Sequence, residues 1–385
     1  MITRFYIDNF KSLVNFDLEL SKFTCLIGLN GAGKSTVLQA LDFASAIMSG
    51  EVEKWLEKRN WNIKSLNSNL TNRNTIKIII EMEIVSKHYR WHAIFNRAKQ
   101  QCTWERLGCM NDNSALFGVD DGSYRLYQSM PHQNPILFQY TGSLLSQIKP
   151  DLLSDEIQEF KKRLIALRSL DLLSPHLLRQ KSRKSDKGDI GMGGEQLSAF
   201  IHQLKSDQHN ELVRQLRTYY PQVIDIKTTA LRSGWIQLEV IEEYPSIRYG
   251  VQEIRVEAKH INDGMLRLLA ILAQQYSPLE TLLFDEIENG INPEAIEKVV
   301  DALVASPKQI IVTTHSPMLL NYMTDEVAKE SVMLIYKRAD GATHATRFFD
   351  VPSAAHKLES LPPGSAMLDV YLDQVAQEAE RHHAA

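Results

Sequence analysis

Glycines, a lysine and two hydroxyl side chains crowd into the nine residues Gly28–Thr36 (GLNGAGKST), directly after the apolar run Phe23–Ile27. Glycine backbone can curl its N–H groups around phosphate oxygens, and the N-terminus of a following helix adds partial positive charge. Residues 28–35 match G-x-x-x-x-G-K-[ST], in which the lysine reaches the β- and γ-phosphates and the hydroxyl ligates Mg²⁺. Because a strand pattern precedes this segment and a helical pattern follows it, the sequence predicts a phosphate loop rather than a glycine-rich surface turn. The predicted contacts come from Asn30, Gly31, Ala32, Gly33, Lys34, Ser35 and Thr36.

A pair of acids, Asp285 and Glu286, ends the apolar run Leu282–Phe284. In open parallel sheets, ligands bind beyond the carboxyl ends of the strands. We therefore expect Asp285 to hold Mg²⁺ together with Ser35, and Glu286 to orient or deprotonate the attacking water. Alone, this pattern is often only a strand end, but the phosphate loop upstream favours the chemical interpretation.

A histidine, His315, follows another predicted buried strand, Ile310–Thr314. Its imidazole could bond the γ-phosphate or the water, and the alternative is a histidine that caps the next helix. Its place one strand beyond the acid pair favours the catalytic role.

A fourth candidate is Asn262–Gly264, at the start of a predicted apolar helix, 264–276. The simplest interpretation is an N-cap. The functional alternative is a second phosphate-facing helix tip. One chain cannot easily direct two helix tips at one γ-phosphate, so this alternative implies a dimer, in which the tip serves the partner's nucleotide.

The elements that would position these residues follow from hydrophobic periodicity. Strands are predicted within residues 1–27, over Ile76–Ile84 and Tyr89–Phe95, and as a short buried strand at Pro135–Phe138. Residues 108–134 are loop-like in composition, and residues 142–217 carry a helical pattern.

The last third of the chain alternates strands and helices, which indicates a parallel sheet with crossover helices and an α/β fold. We predict a core domain from residues 1–140 and 220–350, a helical insertion at 141–219, and a C-terminal helix and tail at 351–385.

The composition is that of an ordinary globular chain: 385 residues, 44% apolar, 23% charged, with a net charge of −4. Three cysteines without C-x-x-C spacing predict a reducing compartment and no disulfide framework. No signal peptide or membrane span is expected, which predicts a cytoplasmic protein. The basic segment Arg179–Lys187 could contact a nucleic-acid backbone, although a solvated loop is the simpler interpretation.

Read in chain order, these motifs resemble the ABC class of P-loop ATPases, and most closely its RecF, structural-maintenance-of-chromosomes (SMC) and OLD-like "AAA family ATPase" branch. The resemblance is carried by IDNFKSL before the phosphate loop, NDGMLRLLAIL as a signature motif, DEIENGINP as Walker B and D-loop, and TTHSP as the switch histidine. It implies an ABC-type ATPase head with a mixed sheet, an antiparallel β element and a helical lobe. No long coiled coil and no TOPRIM nuclease module is expected.

The resemblance also implies ATP and Mg²⁺ as cofactors and a homodimer that sandwiches two ATP molecules. Lys34, Glu286 and His315 would be catalytic, whereas Asn262 and Gly264 would contact the partner's nucleotide. Gln139 would be a further metal-linked residue, in the position of the Q-loop glutamine. Asn262 replaces the serine of the usual signature, and Asn292 replaces the histidine of the usual D-loop.

The predicted function is an ATP-dependent dimerisation switch in DNA-linked bacterial antiphage defence, acting with a separate effector protein, a nuclease or a toxin. The alternatives are a RecF-like ATPase of DNA maintenance and a nucleotide-gated scaffold that scarcely hydrolyses ATP. Contact with DNA stays an open expectation, and no contact with a membrane is expected.

Overall fold

The structure is a computed structural model that describes residues 1–120, 122–170, 173–183, 188–246 and 250–384. Two compact units divide the chain. Unit 1 comprises Met1–Arg168, Glu280–Asp285 and Gln309–Ala385, and unit 2 comprises Ser169–Leu279 and Glu286–Lys308. The domain boundaries predicted from the sequence stay a prediction.

The strands of the described residues are, in chain order, β1 (Ile2–Asp8), β2 (Phe16–Glu19), β3 (Phe23–Ile27), β4 (Thr75–Ile84), β5 (Lys87–Asn96), β6 (Gln101–Cys109), β7 (Ala115–Asp120), β8 (Ser123–Leu126), β9 (Met130–Pro135), β10 (Leu167–Ser169), β11 (Ser182–Arg183), β12 (Val223–Ala230), β13 (Trp235–Ser246), β14 (Gly250–Glu257), β15 (Thr281–Phe284), β16 (Gln309–Thr313), β17 (Val332–Lys337) and β18 (Thr343–Arg347).

The α-helices of the same residues are α1 (Lys34–Ser49), α2 (Val52–Arg59), α3 (Asp155–Ile165), α4 (Pro175–Leu178), α5 (Leu197–His202), α6 (Ser206–Tyr219), α7 (Asp263–Ala273), α8 (Pro293–Val304), α9 (Pro317–Asn321), α10 (Asp325–Ser331), α11 (Pro352–Leu358), α12 (Pro363–Leu368) and α13 (Leu372–Ala384). Short 3₁₀ turns join several of them, for example Ile63–Ser65 after α2.

A six-stranded sheet has the order β10-β15-β16-β3-β17-β18. Strands β15, β16, β3 and β17 are parallel, and β18 is antiparallel to β17. The residues of β15, β3 and β16 are all buried, as expected for parallel strands covered on both faces. The predicted parallel sheet is therefore present, and its central strands end at one edge.

Unit 1 also contains an antiparallel eight-stranded sheet in the order β2-β1-β4-β5-β6-β7-β8-β9. Strand β4 alternates half-buried and buried residues along its whole length, which is the pattern of a strand with one face in a core. Side chains of this sheet, of α1 and of the six-stranded sheet form one apolar cluster that includes Phe5, Phe43 and Ile311. Burial of this cluster holds α1 and the residues at its N-terminus in place.

Unit 2 contains a smaller antiparallel sheet. Strands β11 and β14 pair with different parts of β13, and β12 pairs with β13 as well. Helix α6 packs on β12 and on α7. The long α7 is buried along Met265–Ala273, apart from Arg267, which agrees with the predicted apolar helix.

Three predictions about elements were wrong. Residues 108–134, which are loop-like in composition, contain strands β7 and β8 and most of β9. The apolar segment 135–138 is not a buried strand, because β9 ends at Pro135 and the Leu137 side chain is 87% exposed. The predicted helical stretch 142–217 contains the short strand β10, an edge strand of the six-stranded sheet.

Candidate ATP site

The loop between β3 and α1 has a backbone that requires glycine. Gly28 has φ 144°, and a Cβ atom built on it would lie 2.1 Å from the carbonyl oxygen of Ile335 in the neighbouring β17. Gly33, with φ 114°, is the N-cap of α1. A positive φ is readily adopted only by glycine, so the turn depends on these two residues. In such a turn, successive backbone N–H groups can point toward a bound phosphate.

Lys34 lies within this loop. Its Nζ atom donates to the carbonyl oxygens of Gly28 at 2.8 Å and Leu29 at 3.2 Å, and the side chain of this residue is largely buried. The Nδ1 atom of His315 lies 3.5 Å from the same Nζ. The structure therefore places the Lys34 ammonium and the His315 imidazole, both predicted to face the γ-phosphate, next to each other.

Ser35 and Asp285 also meet. The Ser35 hydroxyl donates to Asp285 Oδ1 at 3.1 Å, and the buried Thr313 hydroxyl donates to the same oxygen at 2.6 Å. These contacts follow from the strand order, because β15, β16 and β3 are parallel neighbours whose carboxyl ends reach one edge. Hydroxyl and carboxylate oxygens are the ligands that Mg²⁺ prefers, so this pair fits the predicted metal position.

A support for the loop comes from β18, which the sequence did not indicate. Thr343 is fully buried, and its Oγ1 lies 2.9 Å from the Ala32 carbonyl oxygen and 2.8 Å from the Ser12 hydroxyl. A hydroxyl carries one proton, so Thr343 donates to Ala32 and accepts from Ser12. A Cβ on Gly33 would lie 2.6 Å from this same oxygen. We call these contacts of Thr343 the loop clamp.

Glu286 begins the second segment of unit 2 and has an unusual backbone. Its φ of 46° lies in the left-handed region, which costs a non-glycine residue roughly 1–3 kcal/mol and is found mostly at functional sites. Its carboxylate accepts a short hydrogen bond from the Asn289 amide, and its carbonyl accepts from the Asn289 backbone N–H at 3.0 Å. The acid is thus held by a tight turn.

Helix α7 begins after an N-cap, Asn262. The Asn262 side chain accepts from the Met265 backbone N–H at 2.8 Å. A Cβ on Gly264 would lie 2.3 Å from the carbonyl oxygen of Gly290, and Arg267 donates to the Asn289 carbonyl at 2.8 Å. Burial lowers the pKa of Arg267, an effect that the Glu286 carboxylate opposes. The helix tip and the turn after Glu286 therefore pack backbone to backbone within unit 2.

Comparison with protein families decides the identity of the chain. Residues 1–241, more than half of the chain, match the family model described as "AAA ATPase domain". The chain belongs to this AAA ATPase domain family. Residues 254–321 match a second AAA model, whose description names the AbiEii toxin and a "Type IV TA system".

The AAA ATPase domain is also similar to known proteins. It is 32% identical over 83 residues to an OLD nuclease of Thermus scotoductus, and this match spans 22% of the chain but only 15% of that nuclease. An SMC head bound to the C-terminal winged-helix domain of ScpA is 15% identical, with a TM-score of 0.56 over 90% of this chain and 96% of that head. Another SMC head, with an extended coiled coil and bound to the C-terminal domain of ScpA derived from Pyrococcus furiosus, is 14% identical, with a TM-score of 0.51 over 93% and 99%.

These matches confirm the predicted fold, an ABC-type P-loop ATPase head with a mixed α/β architecture, and the predicted branch. The SMC heads are too distant in sequence to show more than the fold.

Gln139 does not meet the Ser35–Asp285 pair of this ATPase. It is exposed, two residues before Thr141, whose hydroxyl donates to the Gly50 carbonyl at the C-terminal end of α1. A helix of 16 residues is about 24 Å long, so this contact lies far from the residues at the N-terminal end of α1.

The basic segment of the ATPase is described only in part, since residues 184–187 lie outside the described residues. Arg179 forms an ion pair with Asp263 and donates to the Ile261 carbonyl at 2.8 Å, and Arg183 stacks over Trp235. Among the described residues, no helix has both the length and the apolar character that a membrane crossing requires.

Proposed function

We propose that this ATPase binds ATP with Mg²⁺, closes into a homodimer around two ATP molecules, and reopens on hydrolysis. The observation that carries the proposal is the contact of 3.1 Å between Ser35 and Asp285, next to Lys34 within the glycine loop. Lys34 and Ser35 follow β3, whereas Asp285 follows β15, two strands with only β16 between them in the folded sheet, so their meeting is not a consequence of the sequence motif alone.

The chain's own groups supply the charge that a triphosphate needs. The Lys34 ammonium and the backbone N–H groups of the loop neutralise phosphate oxygens, and they do so in a site that is preorganised by Gly28 and by the loop clamp. Ser35 and Asp285 would hold Mg²⁺, with Thr313 orienting the Asp285 carboxylate. The bound metal would supply electrostatic stabilisation of the charge that develops on the phosphate.

Glu286 is the general base in this proposal. It follows Asp285 directly, and the left-handed backbone and the Asn289 amide hold its carboxylate in one orientation. His315 bonds the γ-phosphate, which its approach to Lys34 Nζ supports.

In the proposed dimer, unit 2 contacts the nucleotide bound by the partner. The tip of α7 and the turn at Asn289–Gly290 are joined by the contact of Gly264 with the Gly290 carbonyl and by Arg267. We infer from this close packing that the two segments would move as one block. The resemblance to the ABC class implies that the signature segment and the D-loop both contact the partner's nucleotide. The tip of α7 and the turn at Asn289–Gly290 would then reach that nucleotide together.

The cellular role that we propose is DNA-linked antiphage defence with a separate nuclease or toxin as effector. Support comes from the similarity of 83 residues to an OLD nuclease and from the match of residues 254–321 to a family described with a toxin and a type IV TA system.

The decisive experiment is the substitution Glu286→Gln in the full chain. We expect ATP affinity within about twofold of wild type, phosphate release reduced about 100-fold or more, and a dimer that accumulates with ATP in size-exclusion chromatography with light scattering. Glu297→Gln, an exposed acid on α8, is the matched control and should leave all three unchanged. Wild-type turnover in Glu286→Gln would refute the base assignment, and a wild-type chain that binds ATP without releasing phosphate would favour a nucleotide-gated scaffold.

A further inference from the structure

A cavity of unit 1 lies between the phosphate loop, the C-terminal end of β17 and helix α13. The loop lines it with Leu29–Ala32, and β17 and the turn after it line it with Leu334–Ala339. The wall from α13 consists of Leu372, Asp373, Ala376, Gln377 and Glu380. The cavity has a volume of about 520 Å³, within the range of about 300–1,000 Å³ that is typical of small-molecule sites. We call this cavity the α13 pocket.

Strand β17 holds both walls of the α13 pocket in place. On one side, Gly28 packs so closely on β17 that a Cβ atom built on it would lie 2.1 Å from the Ile335 carbonyl oxygen. On the other side, the Glu380 carboxylate of α13 accepts from the Nε atom of Arg338 at 2.9 Å, and Val375 and Ala379 of the same helix are buried. The space between the loop and α13 is therefore a fixed part of the fold.

The α13 pocket lies in the direction in which a bound nucleotide would run. In the six-stranded sheet, β16 and β17 are neighbours of β3 on its two opposite sides. In the proposed site, the γ-phosphate end faces Asp285 and His315, which follow β15 and β16. The nucleoside end of an extended triphosphate then leaves the loop on the side of β17, where the α13 pocket begins.

The lining of the α13 pocket suits the adenosine part of ATP. Leu29 from the loop and Leu372 and Ala376 from α13 supply apolar surface, and Leu29 is 54% exposed, so a flat ring can cover it. Asp373 and Gln377 are exposed on α13, where they can accept from ribose hydroxyls or exchange hydrogen bonds with the edge of the base. Apolar walls with a few polar groups that orient the ligand are typical of small-molecule sites.

We propose that the α13 pocket receives the adenine and ribose of the ATP molecule whose phosphates lie in the phosphate loop. This inference rests on the proposed function, because it takes the direction of the triphosphate from the roles of Asp285 and His315. Helix α13 is then the segment that distinguishes a nucleotide from an inorganic triphosphate, although it follows the phosphate loop by more than 300 residues.

The first test is isothermal titration calorimetry of the full chain with ATP and with inorganic tripolyphosphate, both in the presence of Mg²⁺. We expect wild type to bind ATP about tenfold or more tightly than tripolyphosphate. Ala376→Trp fills the α13 pocket, so it should weaken ATP binding about tenfold or more and leave tripolyphosphate binding within about twofold of wild type. Gln374→Trp is the matched control, because it puts the same side chain on an exposed position of α13 outside the pocket, and it should bind both probes as wild type does.

The second test needs no substitution and therefore also decides the case in which Ala376→Trp does not fold. Photo-crosslinking of wild type with 8-azido-ATP, followed by mass spectrometry of the peptides, should label Leu334–Ala339 or Leu372–Glu380, and excess ATP should suppress this labelling. Labelling confined to other segments would overturn the proposal, and so would wild-type ATP affinity in a folded Ala376→Trp.

The two probes separate this inference from the proposed function. A wild-type chain that binds tripolyphosphate as tightly as ATP retains the phosphate site but overturns the role of the α13 pocket. A wild-type chain that binds neither probe refutes the proposed function, and the inference with it.

Discussion

The loop clamp gives a direct test of how the phosphate loop keeps its shape. Thr343→Val removes the hydroxyl that donates to the Ala32 carbonyl at 2.9 Å and accepts from Ser12 at 2.8 Å, and it puts a methyl group in its place. The site is fully buried, so water cannot replace the lost bond to the carbonyl. The Thr343 Oγ1 atom also lies very close to Gly33, since a Cβ atom built on that glycine would be only 2.6 Å from it. A methyl group is larger than a hydroxyl, so it would press on the loop at this point.

The magnitude follows from the unsatisfied carbonyl. A buried acceptor left without a donor costs about 1–3 kcal/mol. If the loop shifts to relieve this cost, nucleotide binding must restore the original shape. The same free energy then appears in the affinity as a weakening of about 5- to 150-fold, at about 1.4 kcal/mol for each factor of ten.

The assay is fluorescence anisotropy with a labelled ATP, together with thermal unfolding without nucleotide. Thr343→Ser keeps the hydroxyl and should bind ATP nearly as wild type does. Ser12→Ala removes only the bond to Thr343 and should show a smaller loss than Thr343→Val. Equal ATP affinity and equal unfolding temperature for Thr343→Val and wild type would refute the clamp.

Two further predictions concern stability. Gly28→Ala should lower the unfolding free energy by about 3 kcal/mol or more, since its Cβ would lie 2.1 Å from the Ile335 carbonyl. Gly31→Ala, with φ 76° but no atom within 4 Å of the Cβ, should cost only about 1–2 kcal/mol in thermal unfolding, and equal losses would contradict the argument. Burial raises the pKa of Glu105 from 4.5 to about 7, although Ser143, Leu144 and Trp91 donate to its carboxylate. The folded state then binds more protons than the unfolded state between these values, so stability falls as pH rises, by about 3 kcal/mol. Urea unfolding at pH 5 and 7 should show about 2 kcal/mol of this fall in wild type and none of it in Glu105→Gln, and an equal pH dependence of the unfolding free energy in both proteins would contradict it.

The part of the ATP site that the sequence predicted is the part that short motifs encode. The glycine loop, Asp285 and His315 each follow an apolar strand, and the rule that parallel strands end at one edge is enough to place them together. Thr343 carries no such signal. It begins β18 directly after a polar turn, and its contact with Ala32 joins residues 311 positions apart, which neither periodicity nor spacing can reveal.

The errors in the predicted elements have a related cause. Glycine, asparagine and aspartate in residues 108–134 are typical of loops, yet β7 and β8 lie toward the far edge of a large sheet, where pairing with the next strand outweighs weak propensity. Conversely, Leu137 and Phe138 are apolar but exposed. The pairing of β9 with β8 ends at Pro135, and no strand of the described residues pairs with Leu137 or Phe138. In both regions tertiary context decided the outcome.

The phosphate loop depends on a hairpin that follows it by some 300 residues. Gly28 packs against the carbonyl of Ile335 in β17, and the loop clamp comes from Thr343 at the start of β18. Strand β17 pairs with β3, the strand that delivers the loop, so one hairpin supports both ends of the turn. The loop sequence alone therefore does not fix its shape: glycine permits the positive φ angles at Gly28 and Gly33, and contacts with β17 and β18 hold the backbone there. It follows that the ATP site of this chain becomes competent only once the final strands of the sheet have paired.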